Sequence, residues 1–278
     1  MLAASVATYG AAAQDASNVP PDKSQYNLFQ PVPENLMRDL SPDRPDATES
    51  AYTVDAGHYQ LEMDFANFTY DQNDGTTTKA WGVGNFNFKI GLLNNVDLQL
   101  GYENYLNVQT EDSLGHSTTQ SGFGDVVTRL KINLWGNDGG KTAFALLPFV
   151  KFPTATDNLG NHAVEGGVIF PFAVSLPCDF DLSMETSAGV FKNDNDDNYH
   201  EETILSASVG HHLFGNFSGF WEVAGNFSTE HHSGSVVTAD TGLEYEVSKN
   251  IIIDLDCYFG LTDAAPDYNP FTGITWRF

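Results

Sequence analysis

Ile251–Phe278 reads IIIDLDCYFGLTDAAPDYNPFTGITWRF. Ile251, Ile253, Leu255, Cys257 and Phe259 place an apolar residue at every second position, with Asp254 and Asp256 between them. After a turn-rich break the pattern resumes at Ile274, Trp276 and Phe278. A period of two means strands with one apolar and one polar face. The same alternation recurs along most of the chain. An apolar-alternating strand ending in Phe is the form taken by the last strand of a bacterial outer-membrane barrel, so the reading is an all-β, closed antiparallel transmembrane β-barrel.

Composition narrows the classes. The chain has 278 residues, with 37 acids against 12 bases and a formal charge of -25. A phosphate-binding surface needs Lys and Arg, so no nucleic acid is expected as a partner. Cys178 falls at a turn and Cys257 in mid-strand, so no disulfide is expected. Beyond the N-terminus no run of about 20 apolar residues could form a spanning helix. Residues 1–13 resemble the remnant of a signal peptide, with Ala11 and Ala13 at small-residue positions before Gln14 but without a basic start. That points to export into a Gram-negative envelope, with Met1 internal to a longer precursor. Residues 14–50 are rich in Pro, Asp, Asn and Ser and read as an irregular lead-in or plug; residues 51–278 read as the barrel.

Within the lead-in, SPDRPDATES (Ser41–Ser50) sets Arg44 between Asp43 and Asp46. Arg44 and Asp46 are the candidate plug residues. Strands follow at Tyr59–Phe65, Trp81–Ile90, Val96–Val108, Gly124–Leu134, Thr142–Phe152, Val164–Leu176, Phe180–Val190, Thr203–Leu213, Phe217–Phe227, Val236–Val247, Ile251–Phe259 and Ile274–Phe278. This gives about twelve, an even number as closed bacterial barrels require. Short connections (LLNN, GNDGG, Pro177-Cys178, FGN, SKN) alternate with longer ones around 71–77, 109–121, 153–162, 193–200, 229–235 and 262–269. Barrels of this type show that alternation, short turns facing the periplasm and longer loops facing out.

A charge on the lipid face at mid-membrane costs roughly 2–4 kcal/mol for Arg or Lys. The expected lumen lining is therefore Glu62, Asp64, Glu103, Arg129, Lys131, Lys151, Glu165, Glu185, Glu222, Glu244, Asp254, Asp256 and Arg277. Arg277 is expected to neutralise part of Asp254 and Asp256, and register about Lys249 sets Glu244 near Asp254 and Glu246 near Ile252. Trp81, Tyr105, Phe149, Ile169 and Phe191 are expected inward, narrowing the bore. Pro148 and Pro171 lie inside neighbouring strands, where proline cannot donate a ladder hydrogen bond. With a loop centred near Asn158 they face about Ile169 and Leu146, which marks a candidate lateral seam.

SPDRPDATES followed by YTVDAGHYQLE, GFGDVVTRLKINLW, ALLPFVKFPTA, EGGVIFPFAVSLP and the terminal GLTDAAPDYNPFTGITWRF resemble, in that order, the outer-membrane transporter family named for a MetA pathway of phenol degradation. The resemblance runs from about residue 41 to the end. It implies a barrel in the outer membrane passing aromatic or other poorly soluble compounds, and brings no catalytic residues.

Enzymatic signals are weak. GNDGGKTAF has Trp135 where a phosphate loop needs glycine. Adjacent histidines on a strand point to opposite faces, so His211-His212 and His231-His232 do not chelate as units. In DNDDN (residues 194–198) the calcium-loop pattern fails at Tyr199 and Leu205. Ser206, Ser208 and His212 share a face, as in an outer-membrane lipid hydrolase, but lack an orienting third group. Neither catalytic residues nor a metal or cofactor are expected. The chain reads as a channel for passive passage of a small-molecule solute, cation-preferring, with a structural barrel with a filled lumen as the alternative. Expected partners are outer-membrane lipid and the barrel-insertion machinery, the latter through the strand ending in Phe278.

Overall fold

The computed structural model describes residues 22–156, 159–193, 196–231 and 233–278. The signal-like stretch 1–13, Asn158, His232 and part of DNDDN lie outside them. Twelve long strands close into one antiparallel barrel: β1 (Tyr59–Asn73), β2 (Thr76–Val83 and Phe86–Leu93), β3 (Val96–Tyr102 and Tyr105–Glu111), β4 (Ser117–Gly122 and Val126–Trp135), β5 (Thr142–Phe152), β6 (Glu165–Ser175), β7 (Phe180–Lys192), β8 (Tyr199–Phe214), β9 (Phe217–Ser228), β10 (Val236–Ser248), β11 (Ile251–Gly260) and β12 (Tyr268–Arg277). Each pairs with its neighbours in sequence, and β12 closes onto β1 from Gln60–Arg277 to Tyr70–Tyr268. Phe278 completes the closure by exchanging two 2.9 Å backbone hydrogen bonds with Tyr59. Among the described residues no helix is long and apolar enough to cross a membrane.

Alternation sorts the faces. Leu98, Leu100, Val150, Leu205, Trp221, Val223, Leu243 and Leu255 are exposed on the outside, while Lys89, Asp97, Gln99, Lys131, Glu222, Asp240 and Asp254 are buried inside. Packing inside is therefore mostly polar. An apolar patch lies on β5 and β6, where Ala143 and Ala173 pack with Ala51 and Tyr52 of the lead-in.

Three features depart from the expected strands. β2, β3 and β4 each break at about the same height, at Gly84-Asn85, Glu103-Asn104 and Phe123-Gly124-Asp125, and the inward parity changes across the break. Trp81 and Tyr105, on the outer side of it, are therefore 50% and 45% exposed rather than inward, and Trp81 packs on Phe68 with ring centroids 4.3 Å apart. Phe149 and Phe191 keep the inward parity, with centroids 6.3 Å apart, and Ile169 is buried. The first two outer connections are also shorter than expected. β1 and β2 meet at a two-residue Asp74-Gly75 turn, both at positive φ (49° and 78°), the conformation an Asp-Gly hairpin favours. Finally, the outer half of β4, Ser117–Gly122, pairs with β3 alone. Beyond the end of β5 the loop takes over: Phe123 N donates to Thr156 Oγ1 at 3.1 Å and Val126 N to Thr154 Oγ1 at 2.9 Å.

Candidate functional site

From residue 22 onward the lead-in lies against the interior of the barrel and extends past Ser50 to His58. Its first part sits at the short-turn end. There Lys23 meets Asp138 at 2.9 Å, and Arg38 reaches Asp138 at 3.0 Å and the Thr53 carbonyl at 3.0 Å. Gly91 of β2 lets the chain lie flat on the wall, since any Cβ there would strike the Asp55 carbonyl.

Residues 43–49 cross the lumen, gripped from several strands. Asp43 pairs with Lys131 at 2.6 Å and with Lys89, which also pairs with Glu62. Wall carboxylates take plug amides as donors: Glu62 from Asp43 at 3.1 Å, Glu222 from Ala47 at 2.7 Å and Thr48 at 2.9 Å, Glu185 from Glu49 at 2.8 Å, and Asp97 from Val54 at 3.0 Å. Glu49 also pairs with Arg129. Although burial pushes the Asp43 carboxyl up, the ammonium groups of Lys131 and Lys89 hold it well below the usual carboxylate range. Asp46 is driven the other way, by burial and then by the Glu222 carboxylate.

Arg44 occupies a cradle made by register. Gly273 of β12 pairs with Asp64 of β1 on one side and Asp254 of β11 on the other. The guanidinium rests over that glycine, where a Cβ would collide with it. It forks onto Asp254 through Nη2 at 2.7 Å and Nε at 3.0 Å, and also pairs with Asp64. Its carbon lies 5.4 Å from the centre of the Phe271 ring. A planar fork suits this bidentate geometry better than an ammonium does.

The remaining lining residues have distinct surroundings. Lys151 pairs with Glu165 at 2.5 Å and Asp125 at 3.7 Å. Glu103 lies on the interior face at the β3 break, beside Gly124. Glu244 faces Asp254 and Glu246 faces Ile252 in the β10–β11 register, as expected. Arg277 does not neutralise Asp254 or Asp256. It turns to the short-turn end, onto the Arg38 carbonyl at 2.8 Å and Asn250 Oδ1 at 2.9 Å, and Arg44 takes its anticipated role at Asp254. Among the described residues, both oxygens of the buried Asp256 and Oδ1 of Asp240 have no hydrogen-bond partner. The plug amides and the Gly273 notch are tertiary matches that alternation cannot display. The only signal in the sequence was a glycine between strand residues that face acids.

Pro148 and Pro171 fall on different ladders. Pro148 pairs with Val168, one residue along from the position expected, and the β5–β6 register runs unshifted from Thr142–Val174 to Lys151–Glu165. Its missing donor faces β4, where Leu130 and Lys131 have no partner on β5. Pro171 pairs with Glu185 on β7 and leaves Ala145 and Leu146 without partners across β6. The patch is thus interrupted locally without a bulge.

Above residues 43–49 lies an open chamber of about 520 Å³, lined by Asn67, Asn85, Asn87, Asn269, Tyr258 and Phe271 together with plug residues. Tyr258 donates to the Pro45 carbonyl at 2.9 Å and stacks on Phe271 at 5.2 Å. Plug below and polar chamber above are the arrangement of a constricted pore.

The COG4313 outer membrane channel from Pseudomonas putida F1 superposes with a TM-score of 0.59 at 10% identity, over 86% of this chain and 100% of that one. A CymD monoaromatic hydrocarbon channel gives a TM-score of 0.43 at 10% identity, over 79% of this chain and 87% of that one. No curated protein matches by sequence. The first likeness establishes the fold as that of a bacterial outer-membrane barrel. Residues 42–278 match the family model described as "Putative MetA-pathway of phenol degradation", and the chain belongs to that family.

Proposed function

We propose that this barrel is a passive channel for small solutes, with aromatic and other poorly soluble compounds as the finer class, and that residues 43–49 set its constriction. The observation that carries this reading is the plug's mode of attachment. It joins no strand of the barrel; among the described residues its hold on the wall at this level is through side chains, ion pairs and carboxylates receiving amides. Such contacts exchange for water far more readily than a strand ladder does. Lining acids outnumber bases, which favours cations in any ion current.

Planar-bilayer recording of the purified chain, with and without residues 22–49, tests this. The expected result is a small, cation-preferring current that grows several-fold in the deleted form. Silence in both forms would favour a structural barrel with a filled lumen, the reading that the extent of the grip on the plug supports. The interruption at Pro148 and Pro171 is assigned a secondary role as a sideways exit for a greasy solute. Cross-linking Leu146→Cys to Phe170→Cys should then stop uptake of such a solute and spare ion current; uptake unchanged removes the route. Contact with outer-membrane lipid through the apolar belt, and with the insertion machinery through the strand ending in Phe278, belongs to the same proposal.

A further inference from the structure

The lead-in completes the wall at the short-turn end before it enters the lumen. β2 runs on to Leu93, whereas its partner β1 begins only at Tyr59, opposite Ile90. Gly91 still meets the turn that precedes β1, donating to the His58 carbonyl and accepting from Gly57 N, both at 2.9 Å. Below that the ladder passes to the lead-in: Leu28 N donates to the Leu92 carbonyl at 2.9 Å, and Asn27 bridges Leu93. Asn27 and Gln30 exchange two 3.0 Å hydrogen bonds, which makes residues 27–30 a tight hairpin, and Asn27 Oδ1 accepts from Phe29 N at 3.0 Å within the turn. The following residue but one, the buried Val32, ties the hairpin down: its N donates to the Ala56 carbonyl at 3.0 Å and its carbonyl accepts from His58 Nε2 at 2.7 Å.

At the tip of this well-tied hairpin Phe29 is 92% exposed. The interior at this height is filled, with Val32, Asp55 and Ala56 buried and no room at Gly91 beside the Asp55 carbonyl, so a ring that open points away from the lumen. The surface it joins is the apolar outer rim. In the β2–β3 ladder Leu93 pairs with Val96, one place from the inward Asp97, and it is 48% exposed on the outside. Across the start of β1 the outer face carries Trp276 and Phe278, with centroids 4.7 Å apart, and Tyr59, which stacks on Phe278 at 5.9 Å and on Phe88 at 6.0 Å. Such girdles of rings mark the level at which a transmembrane barrel meets the bilayer interface. A tight turn facing water favours Gly, Asn, Asp or Ser, and Leu28-Phe29 in those places suits an apolar phase instead.

We propose that Phe29 is a lipid anchor: the hairpin of residues 27–30 seats this ring in the interfacial layer of the bilayer at the short-turn end, beside Leu93, and so fixes the root of the plug to the membrane. Its occupant is lipid because the ring continues the apolar rim of the barrel while belonging to none of its strands. Residues 43–49 are then free to leave their place while the hairpin holds its own. The inference depends on the barrel spanning a bilayer and not on whether its lumen conducts.

Quenching of a fluorophore locates the ring. Phe29→Cys and, as a reference, Ser24→Cys, which is exposed on the same lead-in, are each made in the full chain with Cys178 and Cys257 replaced by serine, labelled with bimane and placed in phosphatidylcholine vesicles. Lipid carrying a nitroxide near its headgroup is expected to quench the label at position 29 about twofold or more beyond the label at position 24, and iodide present on both sides of the vesicle to give the opposite order. Phe29→Ser removes almost no packing within the protein, yet in vesicles it should quicken hydrogen exchange of the Leu28 amide several-fold, roughly the effect of loosening a local element. Equal quenching at the two positions, or stronger quenching of position 29 by iodide, would put the ring in water and overturn the anchor. Shielding from both quenchers would give the ring to a second copy of the chain and overturn it equally. Exchange unaltered by Phe29→Ser would overturn the ring's part in holding the root of the plug.

Discussion

Two stretches of the interior wall hold the same plug by different means. On β1–β4 the wall carries bases as well as acids, and Lys89, Lys131 and Arg129 meet Asp43, Glu62 and Glu49. On β8–β11 the interior presents Glu222, Asp240, Glu244, Asp254 and Asp256 with no Lys or Arg among them. There the plug itself supplies the positive partner, Arg44, and its amides go to Glu222. The mixed wall is largely self-compensated, whereas the acidic wall depends on the plug. A count of lumen charges alone would miss this, because an acid that holds an amide or a guanidinium contributes little to ion selectivity.

The largest expected effect comes from removing the base that faces the acidic wall. Arg44→Ala leaves the buried Asp254 without its partner and takes the guanidinium from the half-buried Asp64, a type of change that costs about 3–5 kcal/mol. The loss should appear as rapid labelling of a cysteine placed at Ala47 and as raised conductance. Lys131→Met on the mixed wall should do much less, because Lys89 still meets Asp43. Equal effects would erase the distinction between the walls.

A smaller effect should follow pH. Burial, then the Glu222 and Glu244 carboxylates, raise Asp46 well above its ordinary value, while Ser208 opposes the shift through a hydrogen bond. A group raised in the folded state contributes stability that is complete below the ordinary carboxylate range and fades as pH rises through the folded value. Asp43 is depressed, so its contribution is present above that range and lost only in acid. Between pH 5 and pH 9 labelling at Ala47→Cys should therefore rise, with Cys178 and Cys257 replaced by serine, and Asp46→Asn should diminish that rise. A rise undiminished by Asp46→Asn would contradict the assignment.

The smallest effect concerns selectivity. Glu103 lines the open chamber and makes no ion pair among the described residues, so it is an acid left to act on passing ions. Glu103→Gln should lower the cation-to-anion permeability ratio roughly twofold. Neutralising Glu222, which is occupied by the plug, should change the ratio less. Reversal potentials in a salt gradient distinguish the two.

The closed barrel was readable because alternation depends only on which residues lie two apart, and the β10–β11 register followed from a tight turn at Lys249. Where the reading failed, the period itself broke. At Gly84-Asn85 and Glu103-Asn104 the parity changes within one continuous hairpin, and Trp81 and Tyr105 change faces with it. Arg277 was assigned to the nearest acids along its ladder, but its side chain turns toward Asn250 and the Arg38 carbonyl. Arg44 was legible as an inward arginine, since the lumen offered acids in excess. Its seat was not, because that seat is assembled from three strands, two of them some 190 to 210 positions distant from β1.

That seat bears on how the chain comes together. Asp64 lies on the first strand, Gly273 on the last and Asp254 on the one before it, so the place where Arg44 sits straddles the joint at which the cylinder is sealed. Before the two ends of the chain meet, the seat does not exist, and once they meet it lies inside. Arg44 therefore serves as a clasp across the final seam as much as a stopper, and the interior segment and the sealing of the wall become a single event in assembly.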